Sequence, residues 1–213
     1  MSFGSGVAPS DMTVSRNGAD LLFTHSNGTD SVAVKNWYTS AGSVANQVER
    51  VEFADGTVWT AAQLTAQALA VTGTVGNDTL SGLTYYGNTL YGMAGNDTLN
   101  GGNMADILFG GQGADLLQGG SGDDDYRYLL GDGNDTVNDF AGTADVLRMD
   151  GLDMSAVHYW KQGNDLCIEV AEGQSMLVKN HFLSGGANRI DSFYLNGVQM
   201  SSNDMALLAQ PRP

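Results

Sequence analysis

Four aspartates at nine-residue intervals constrain the fold of this chain more than any other feature of its sequence. A glycine-rich segment precedes each aspartate, and an apolar residue follows it two positions later. Self-similarity at a fixed short period is the signature of a repeat architecture, in which each unit stacks on its neighbours. The spacing therefore predicts a solenoid built on the lines that contain Asp97, Asp106, Asp115 and Asp124.

The repeat extends more loosely in both directions, so the repeat region is predicted to span residues 73–147. Upstream, one line carries Asp78 in the acidic position, and the next line is one residue too long and carries Asn88 there. Downstream, a line with Asp135 follows a short insertion, and a weak last line carries Asp145. The register is therefore strict in the middle of the region and looser at its ends.

Each line reads as a tight turn followed by a short strand. Glycines at its first, second and fourth positions permit a sharp backbone path, because glycine adopts positive φ without strain. The apolar residue at the eighth position is expected to point into the solenoid, where successive strands form one continuous interior column. This column is predicted to contain Leu80, Leu90, Leu99, Leu108, Leu117, Tyr126 and Val137.

The lines resemble the nonapeptide G-G-x-G-x-D-x-U-x, where U is apolar, which is the calcium-binding repeat of RTX, or haemolysin-type, proteins. The resemblance implies an all-β fold, a right-handed parallel β-roll in which several Ca²⁺ ions are bound. The chemistry agrees, because Ca²⁺ prefers the hard carboxylate oxygen that the sixth-position aspartate supplies. Glycines in the same turn let backbone carbonyl oxygens approach the ion closely.

If two lines make one coil, lines of the same parity stack, and each ion is expected between a turn and the turn two lines later. Asp97 then pairs with Asp115, whereas Asn88 pairs with Asp106, and the missing charge predicts a weaker or empty site there. Roughly six to seven oxygens would surround each ion. The predicted metal ligands are Asp78, Asp97, Asp106, Asp115, Asp124, Asp135, Gly76, Asn77, Gly95, Asn96, Gly102, Gly111, Gly113, Gly120, Gly122 and Gly133.

The roll is expected to depend on calcium for its folding. Without a cation, stacked rows of carboxylates repel one another, and a single apolar column buries little surface per residue. The free energies of binding and folding are then linked. Extracellular calcium modules bind with a Kd of about 10⁻⁴–10⁻³ M, which places folding outside the cell.

The segments on either side of the roll, residues 1–72 and 148–213, resemble each other, which indicates a duplicated unit. Each is predicted to contain three short strands, separated by Asn-Gly or Asp-Gly turns, and a short helix with Thr60 or Ser202 as its N-cap. Because a solenoid needs its open ends covered, the two β-rich units are predicted to cap the roll. The parallel segments are 16–23 with 161–168, 32–38 with 176–182, and 51–57 with 192–198.

The flanks are similar to the haemolysin-type calcium-binding related domain through Asp20-Leu-Leu-Phe23, Val34-Lys-Asn-Trp37 and residues 50–59. The resemblance implies a module of a secreted bacterial toxin, adhesin or exoenzyme that is located outside the cell. It also implies export by the type I route, whose machinery is then a partner and which uses no N-terminal signal. The first residues show no charged region followed by an apolar run, so no cleavable signal peptide is predicted.

The charge balance narrows the set of partners. The chain has 24 acidic and 9 basic side chains and a formal net charge of −15. Nucleic acid is therefore not expected as a partner, because phosphate binding needs clustered Lys and Arg, whereas a cation suits such an excess of carboxylates. No apolar stretch approaches the ~20 residues of a transmembrane segment. The single cysteine, Cys167, allows no internal disulfide.

The sequence shows no catalytic constellation, and the chain is predicted not to be an enzyme. His25, His158 and His181 are scattered, and Cys167 lies between apolar residues without a base nearby in the sequence. The three consecutive acids at residues 123–125 are expected to serve ligation or electrostatics rather than acid–base chemistry.

A calcium-dependent adhesion or glycan-recognition module is the alternative function. Exposed aromatic side chains, chiefly of the flanking units, would then form a platform for a glycan or another cell-surface ligand. Most of these residues also suit the core of a strand or a cap. The candidates are Trp37, Tyr38, Trp59, Tyr85, Tyr86, Tyr91, Tyr159 and Trp160.

Overall fold

The computed structural model describes residues 1–39, 46–171, 173–183 and 189–211. The chain divides into two compact units, Met1–Ala70 and Val71–Pro213. Strands predominate in both units, which confirms the predicted all-β class. Within the described part of the chain, neither helix has the length and apolarity needed to cross a membrane.

The first unit combines an antiparallel sheet, a β-hairpin and a helix. Its sheet contains, in this order, β1 (Met12–Asn17), β2 (Asp20–His25) and β3 (Ser31–Val34). The hairpin and the helix that follows it are β4 (Arg50–Glu52), β5 (Val58–Thr60) and α1 (Ala61–Leu69). A 3₁₀ turn at Pro9–Asp11 precedes β1. The alternation of apolar and polar residues in β2 buries Leu21 and Phe23 on one face of the sheet.

Helix α1 begins where the sequence predicts, because Thr60 is its N-cap. The Thr60 hydroxyl accepts a hydrogen bond from the N–H of Gln63 at 3.3 Å, and the Gln63 side chain accepts one from the N–H of Thr60 at 2.9 Å. This capping box satisfies N–H groups that a helix start leaves without partners. Leu64 and Ala68 then bury the inner face of the helix in the core of the first unit.

The second unit is a parallel β-solenoid, as the repeat predicts. Successive strands alternate between two sheets, so that two nonapeptide lines make one coil. One sheet contains β6 (Ala70–Thr72), at the boundary of the units, and β8 (Thr89–Ala94), β10 (Ile107–Gln112), β12 (Asp125–Leu129) and β14 (Val146–Asp150). The other contains β7 (Thr79–Ser81), β9 (Thr98–Gly102), β11 (Leu116–Gly120) and β13 (Asn134–Val137).

The eighth-position residues form the core of the solenoid, as two ladders on the two sheets. One ladder consists of Leu90, Leu108, Tyr126 and Leu147 on neighbouring strands. The other consists of Leu80, Leu99, Leu117 and Val137. All of them except the terminal Leu80 are 0% exposed. Burying each such side chain contributes about 1.5–3 kcal/mol, so the repeat builds its core with one residue per line.

Strands of the C-terminal segment continue both sheets of the solenoid. β17 (Gln174–Val178) pairs in parallel with β13, and β18 (Ser192–Leu195) pairs in parallel with β14. The remaining elements are β15 (His158–Gln162), β16 (Asp165–Ala171), β19 (Val198–Ser201), α2 (Ser202–Leu208) and β20 (Gln210–Pro211). This segment lies in the same compact unit as the roll, and its treatment as a separate capping domain stays a prediction.

The N-cap of α2 is Ser201, one residue before the predicted Ser202. The Ser201 hydroxyl accepts a hydrogen bond from the N–H of Asp204 at 3.2 Å, and Asp204 Oδ2 accepts one from the Ser201 N–H at 2.8 Å. Ser202 is instead the first helical residue, and its hydroxyl lies 3.4 Å from Nε2 of the buried His181. The prediction was wrong because two adjacent serines suit an N-cap equally, and only the packing of the helix selects one.

The two flanking segments share a common contact, as the duplication predicts. In the first copy, Asp20 accepts hydrogen bonds from Lys35 Nζ at 2.6 Å and from the N–H of Asn36 at 2.9 Å. The same contacts recur in the second copy, at 2.6 and 2.8 Å, between Asp165, Lys179 and Asn180. Both asparagines have a φ of 55°, a left-handed conformation that asparagine tolerates better than most residues. The aspartate therefore anchors the same turn in both copies.

The β-hairpins of the two copies differ by one residue in their turns. Arg50 pairs with the N-cap Thr60, and Ser192 pairs with the N-cap Ser201, so Arg50 corresponds to Ser192. Val51 then corresponds to the residue after Ser192. The predicted alignment of residues 51–57 with 192–198 pairs Val51 with Ser192 itself, so this prediction was wrong by one position. The sequence alignment followed the Asp-Gly and Asn-Gly turns, whereas the strand pairing decides the correspondence.

Candidate metal sites

The sixth-position aspartates lie buried inside the turns of the roll, although carboxylates are normally exposed. Six of them are only 1–2% exposed, and Asp78 at the start of the roll is half-buried. A buried carboxylate costs several kcal/mol unless a hydrogen-bonding partner or a cation compensates for lost water. The buried group comprises Asp97, Asp106, Asp115, Asp124, Asp135 and Asp145.

Five of the turn aspartates contact the aspartate two lines further along the chain, as the parity of the lines predicts. The backbone N–H of the earlier residue donates to Oδ1 of the later one, at 2.7–3.0 Å. The pairs are Asp78–Asp97, Asp97–Asp115, Asp106–Asp124, Asp115–Asp135 and Asp124–Asp145. One carboxylate oxygen of each later aspartate is therefore used to align neighbouring coils.

The second oxygen, Oδ2, has no hydrogen-bond partner within the described residues in any of the six buried aspartates. In Asp97 and Asp106 it lies beside the first-position glycine of its own line and the carbonyl oxygen of the first-position glycine two lines later. A Cβ placed on Gly101, for example, would meet both Asp106 Oδ2 and the carbonyl oxygen of Gly119. Hard oxygens from two coils thus share one small space. This donor set fits Ca²⁺ and no softer metal.

The first-position glycines are candidate ligand positions that the predicted set lacked. A Cβ on such a glycine would meet the aspartate of its own line and, at Gly92 and Gly101, also the glycine carbonyl two lines later, so the absence of a side chain keeps this space open for both oxygens. The sequence contained a signal for these residues. The lines from residue 73 to residue 119 all begin with glycine, whereas the residues at their second and fourth positions vary. The residues concerned are Gly73, Gly92, Gly101, Gly110 and Gly119.

Burial also changes the protonation of the turn aspartates. Loss of water raises the pKa of Asp115 to about 6 and that of Asp145 to about 7. The same cause raises the pKa of Asp124 and of Asp135 to about 8, and repulsion from neighbouring carboxylates adds to it. Hydrogen bonds from backbone N–H groups oppose these shifts only in part. The turns therefore favour a bound positive charge, either a proton or a metal ion.

The predicted glycine ligands lie in the stacked backbone of the turns. The carbonyls of Gly102, Gly113 and Gly120 each accept one backbone N–H from a neighbouring coil, at 2.9–3.0 Å. The carbonyl of Gly133 accepts two hydrogen bonds, from Ser175 N–H at 3.0 Å and from the Tyr128 hydroxyl at 2.9 Å, which occupy both of its lone pairs. The remaining predicted glycines, in turns that stack on neighbouring backbone, are Gly76, Gly95, Gly111 and Gly122.

The two predicted asparagine ligands form a ladder along the turns. Asn77 Oδ1 accepts a hydrogen bond from the N–H of Asn96 at 2.8 Å, and Asn96 Oδ1 accepts one from the N–H of Ala114 at 2.9 Å. These contacts repeat every second line and join the exposed sides of successive turns. The side-chain oxygens of both residues are therefore engaged in holding coils together, and their ligation of metal stays a prediction.

The side-chain amide of Asn88 occupies the place in its line where a cation is expected in the other lines. Its Nδ2 donates to Asp106 Oδ1 at 2.8 Å, to the carbonyl of Tyr86 at 2.6 Å and, more weakly, to the carbonyl of Gly101 at 3.4 Å. Two of these partners, the Asp106 carboxylate and the first-position glycine carbonyl, are the oxygens that surround an orphaned Oδ2 in the other lines. The amide therefore supplies the positive hydrogens that a cation would supply elsewhere, which supports the predicted weak or empty site.

Asn88→Asp is expected to create one additional calcium site. The substitution removes the amide donors and places a second carboxylate oxygen beside Gly101 and Asp106, as in the neighbouring lines. Equilibrium dialysis with metal analysis should show one more Ca²⁺ per chain at saturation. Asn103→Asp, on an exposed turn position, makes the same charge change and should leave the stoichiometry unaltered. An unchanged count in Asn88→Asp would contradict the role given to the amide.

Three buried carboxylates meet at the last coil of the roll. Ligand oxygens of Asp124, Asp139 and Asp145 all lie within 4.8 Å of one another, and each residue is 1% exposed. The Tyr126 hydroxyl donates to Asp139 Oδ1 at 2.6 Å, while Oδ2 of all three aspartates has no hydrogen-bond partner in the described residues. Burial raises the pKa of Asp139 as well. This cluster brings together more carboxylates than any other turn site that the structure describes.

Asp139 was missed because it stands in the place of a first-position glycine, opposite Gly119, rather than at the sixth position of a line. It follows the eighth-position residue Val137 by two positions, in the segment that leads to the weak last line. Only the path of the coil brings it back beside Asp124 and Asp145. The neighbouring acids have other partners: Asp123 accepts hydrogen bonds from the turn at residues 143–144, and Asp125 forms ion pairs with Arg127 and Arg148.

Comparison with known proteins identifies the repeat and one flank. The family model described as RTX calcium-binding nonapeptide repeat (4 copies) matches residues 72–103, 83–116 and 100–137. The model described as haemolysin-type calcium binding protein related domain matches residues 20–63. The matched repeats include the buried aspartates from Asp97 to Asp135, whereas Asp139 and Asp145 follow the matched range.

Among curated proteins, no sequence matches this chain. Among solved structures, the extracellular lipase LipA from Serratia marcescens is similar, with 18% identity and a TM-score of 0.43. The similarity covers 95% of this chain and 32% of the lipase, so the chain spans about a third of that protein's length. The nonapeptide repeats and the related domain together show that the chain is an RTX, haemolysin-type calcium-binding protein.

Proposed function

We propose that this chain is a non-catalytic β-roll module of a secreted bacterial toxin, adhesin or exoenzyme, which folds on calcium outside the cell and supports export and stability. The observation that carries the proposal is the row of buried carboxylate oxygens without hydrogen-bond partners in the described residues. Such oxygens destabilise the fold unless a cation binds them. The RTX repeats supply the identity of that cation, which is calcium.

The residues that would hold each ion come from two stacked coils. A turn aspartate contributes Oδ2, and a first-position glycine two lines later contributes its carbonyl oxygen. Bound Ca²⁺ neutralises the adjacent carboxylates, and the protein's own part is to keep the oxygens in place through the N–H to Oδ1 hydrogen bonds. Repulsion between coils then becomes attraction, so that ion binding stabilises the whole stack.

Metal-linked folding supports a role in export by the type I machinery. Calcium sites of extracellular modules have a Kd of about 10⁻⁴–10⁻³ M, so they would remain empty in the calcium-poor cytosol. Rows of uncompensated carboxylates would then keep the roll unfolded until the chain reaches the extracellular medium. Folding there would also stabilise whatever domain the module is attached to.

The scattered histidines and the cysteine support a non-catalytic role. His181 packs between Phe182 and Phe193, with ring centroids 4.8 and 5.4 Å apart, and burial lowers its pKa to about 4. It is therefore neutral and enclosed at physiological pH. Cys167 is 5% exposed and belongs to the buried strand β16.

The buried candidate aromatic residues do not favour the glycan-binding alternative, and Tyr85 is the one candidate in the described residues that is largely exposed, at 55%. Trp37 and Tyr38 are 0% and 4% exposed, and Trp37 Nε1 donates to the Thr65 hydroxyl inside the first unit. Tyr91 stacks on Phe109 with centroids 4.8 Å apart, so one ring face of each is covered by the other. Sugar recognition needs exposed ring faces. The burial of Trp37 and Tyr38 therefore favours the calcium module over a glycan platform.

Calcium titration of the full chain by isothermal calorimetry tests the proposal. We expect several Ca²⁺ sites in the range of about 10⁻⁴–10⁻³ M and no comparable signal with Mg²⁺. Asp139→Asn removes one of the three carboxylates in the last coil and should weaken the tightest site about tenfold or more. Asp150→Asn, an exposed acid at the end of β14, should leave all sites unchanged. Absence of calcium binding would refute the proposed function, and equal affinities in the two variants would refute the role of Asp139.

A further inference from the structure

We propose that the last coil of the roll binds a single trivalent cation of calcium's size, a lanthanide ion, in preference to Ca²⁺. The site consists of the buried carboxylates of Asp124, Asp139 and Asp145. This inference rests on the proposed function and deepens it, because it assigns one turn of the calcium-binding roll to a different class of cation. The other turns keep calcium as their ion.

The carboxylate of Asp139 is an addition to the pattern of the repeat. The register of the strands places Asp139 opposite Gly119 on the neighbouring coil. The lines from residue 73 to residue 119 carry glycine at this position, and each of them supplies at most one sixth-position aspartate. The last line instead supplies two carboxylates, those of Asp139 and Asp145, and Asp124 of the preceding coil adds a third.

The cluster presents three carboxylate oxygens that no donor of the protein satisfies. Oδ1 of each aspartate accepts a hydrogen bond at 2.6–2.9 Å, which fixes the side chain in place. Oδ2 of each has no hydrogen-bond partner in the described part of the chain, and each residue is only 1% exposed. Because buried polar atoms without partners are costly, three of them in one coil indicate that a cation binds there.

Glycines keep a space open beside these oxygens. A Cβ placed on Gly119 would meet Asp124 Oδ2. A Cβ placed on Gly142 would meet both carboxylate oxygens of Asp145 and the carbonyl oxygen of Gly122. The space therefore borders hard oxygens of two stacked turns, which is the donor type that calcium and ions like it prefer.

The arginines in this part of the second unit already have acidic partners. Arg127 and Arg148 form ion pairs with Asp125, at 2.8 and 3.0 Å. Arg189 lies 3.4 Å from Asp191. The ion pairs found among the described residues all involve acids outside the cluster. Compensation of the cluster's negative charge therefore depends on a bound cation.

The number of carboxylates decides which charge suits the site. Coulomb attraction grows with the charge of the cation, and it is strong where water is excluded. A divalent ion would leave one of the three buried carboxylates uncompensated, which is unfavourable, whereas a trivalent ion neutralises all three. Lanthanide ions resemble Ca²⁺ in size, in their preference for hard oxygen and in their flexible coordination, so a turn built for calcium accommodates them.

Equilibrium dialysis of the full chain against millimolar Ca²⁺ and micromolar Tb³⁺, followed by metal analysis, tests the inference. We expect one Tb³⁺ per chain, with calcium at the other sites. Asp139→Gly gives the last line the residue that the repeat carries at this position, so the calcium transition should persist. The ratio of Tb³⁺ to Ca²⁺ affinity at the last coil should fall at least about tenfold.

Two further variants control for packing and for net charge. Asp139→Asn keeps the volume of the side chain and should lower the Tb³⁺ to Ca²⁺ ratio as Asp139→Gly does. Asp150→Gly removes an exposed acid at the end of β14 and should leave the ratio unchanged.

Terbium luminescence locates the bound ion. The Tyr126 hydroxyl lies 2.6 Å from Asp139 Oδ1, so excitation of tyrosine should sensitise emission from Tb³⁺ in the cluster. Tyr126→Phe should remove most of this emission while one Tb³⁺ per chain is still bound.

The trivalent site would be overturned if Tb³⁺ replaced calcium equally at every turn, if it did not bind, or if a single preferred site survived Asp139→Gly. Calorimetric titration with Ca²⁺ alone separates this failure from that of the proposed function. Normal calcium binding without a preferred Tb³⁺ site would reject the trivalent site alone, whereas absence of calcium binding would reject the calcium module.

Discussion

In chelator at neutral pH, the roll is expected to lose most of its strand structure, and millimolar calcium should restore it. The reason is the buried, unpaired Oδ2 atoms of the turn aspartates, which repel one another when no cation is present. Far-UV circular dichroism and small-angle scattering, recorded in EDTA and then during calcium addition, measure the change. Magnesium at the same concentration is the control, since it demands a tighter octahedral shell and releases its water reluctantly.

The size of this effect follows from linkage. A ligand present at about 100 times its Kd stabilises the folded state by about 2.7 kcal/mol per site. Two or more such sites together reach the roughly 5–15 kcal/mol that separates a typical folded domain from its unfolded state. Asp115→Asn should raise the calcium midpoint, because Asp115 contacts both Asp97 and Asp135. Strand signal that is complete in EDTA and insensitive to Asp115→Asn would be incompatible with metal-linked folding.

Protonation of the turn aspartates in acid is expected to stabilise the calcium-free roll in part. The pKa values of Asp115, Asp124 and Asp135 in the folded chain are about 6, 8 and 8, above the value of 3.8 for an ordinary aspartate. At a pH between the pKa of an ordinary aspartate and these raised pKa values, the folded state binds more protons than the unfolded state. The stability of the metal-free roll therefore falls as pH rises. The stabilisation that protonated aspartates contribute is fully present below about pH 4 and is lost as pH rises through about 6 to 8. In EDTA, strand signal should therefore be greater at pH values near 5 than near 8.

Calcium affinity should have the opposite dependence on pH, because protons and Ca²⁺ compete for the same carboxylates. Calorimetric titrations across this pH range would show weaker binding in acid. Asp124→Asn and Asp135→Asn each remove one titrating group, and each should flatten the pH dependence of the strand signal measured in EDTA. A general effect of net charge would leave that dependence unaltered in both variants. Strand signal in EDTA that increases toward alkaline pH would contradict the assignment of these buried acids.

The sequence by itself determined the solenoid, the apolar residues of its interior column and the pairing of turn aspartates two lines apart. These features depend on the local alternation of turn and strand, and a nine-residue period repeats that alternation identically along the chain. Leu108, for example, could be placed beside Leu90 and Tyr126 by counting residues, and the structure confirms that register. The duplication of the flanks was readable for the same reason, since Asp20 and Asp165 introduce the same turn.

Only the tertiary structure decided where the chain departs from its own repeat. Asp139 joins the cluster of Asp124 and Asp145 from a position where the other lines carry glycine, so the spacing of the sixth-position acids does not reveal it. The amide of Asn88 replaces a cation only because Asp106 and a glycine carbonyl converge on it. Likewise, the C-terminal flank shares both sheets with the roll through strand pairing between distant segments. Local spacing specifies contacts that recur along a solenoid, whereas contacts between segments without a common period depend on how the whole chain packs.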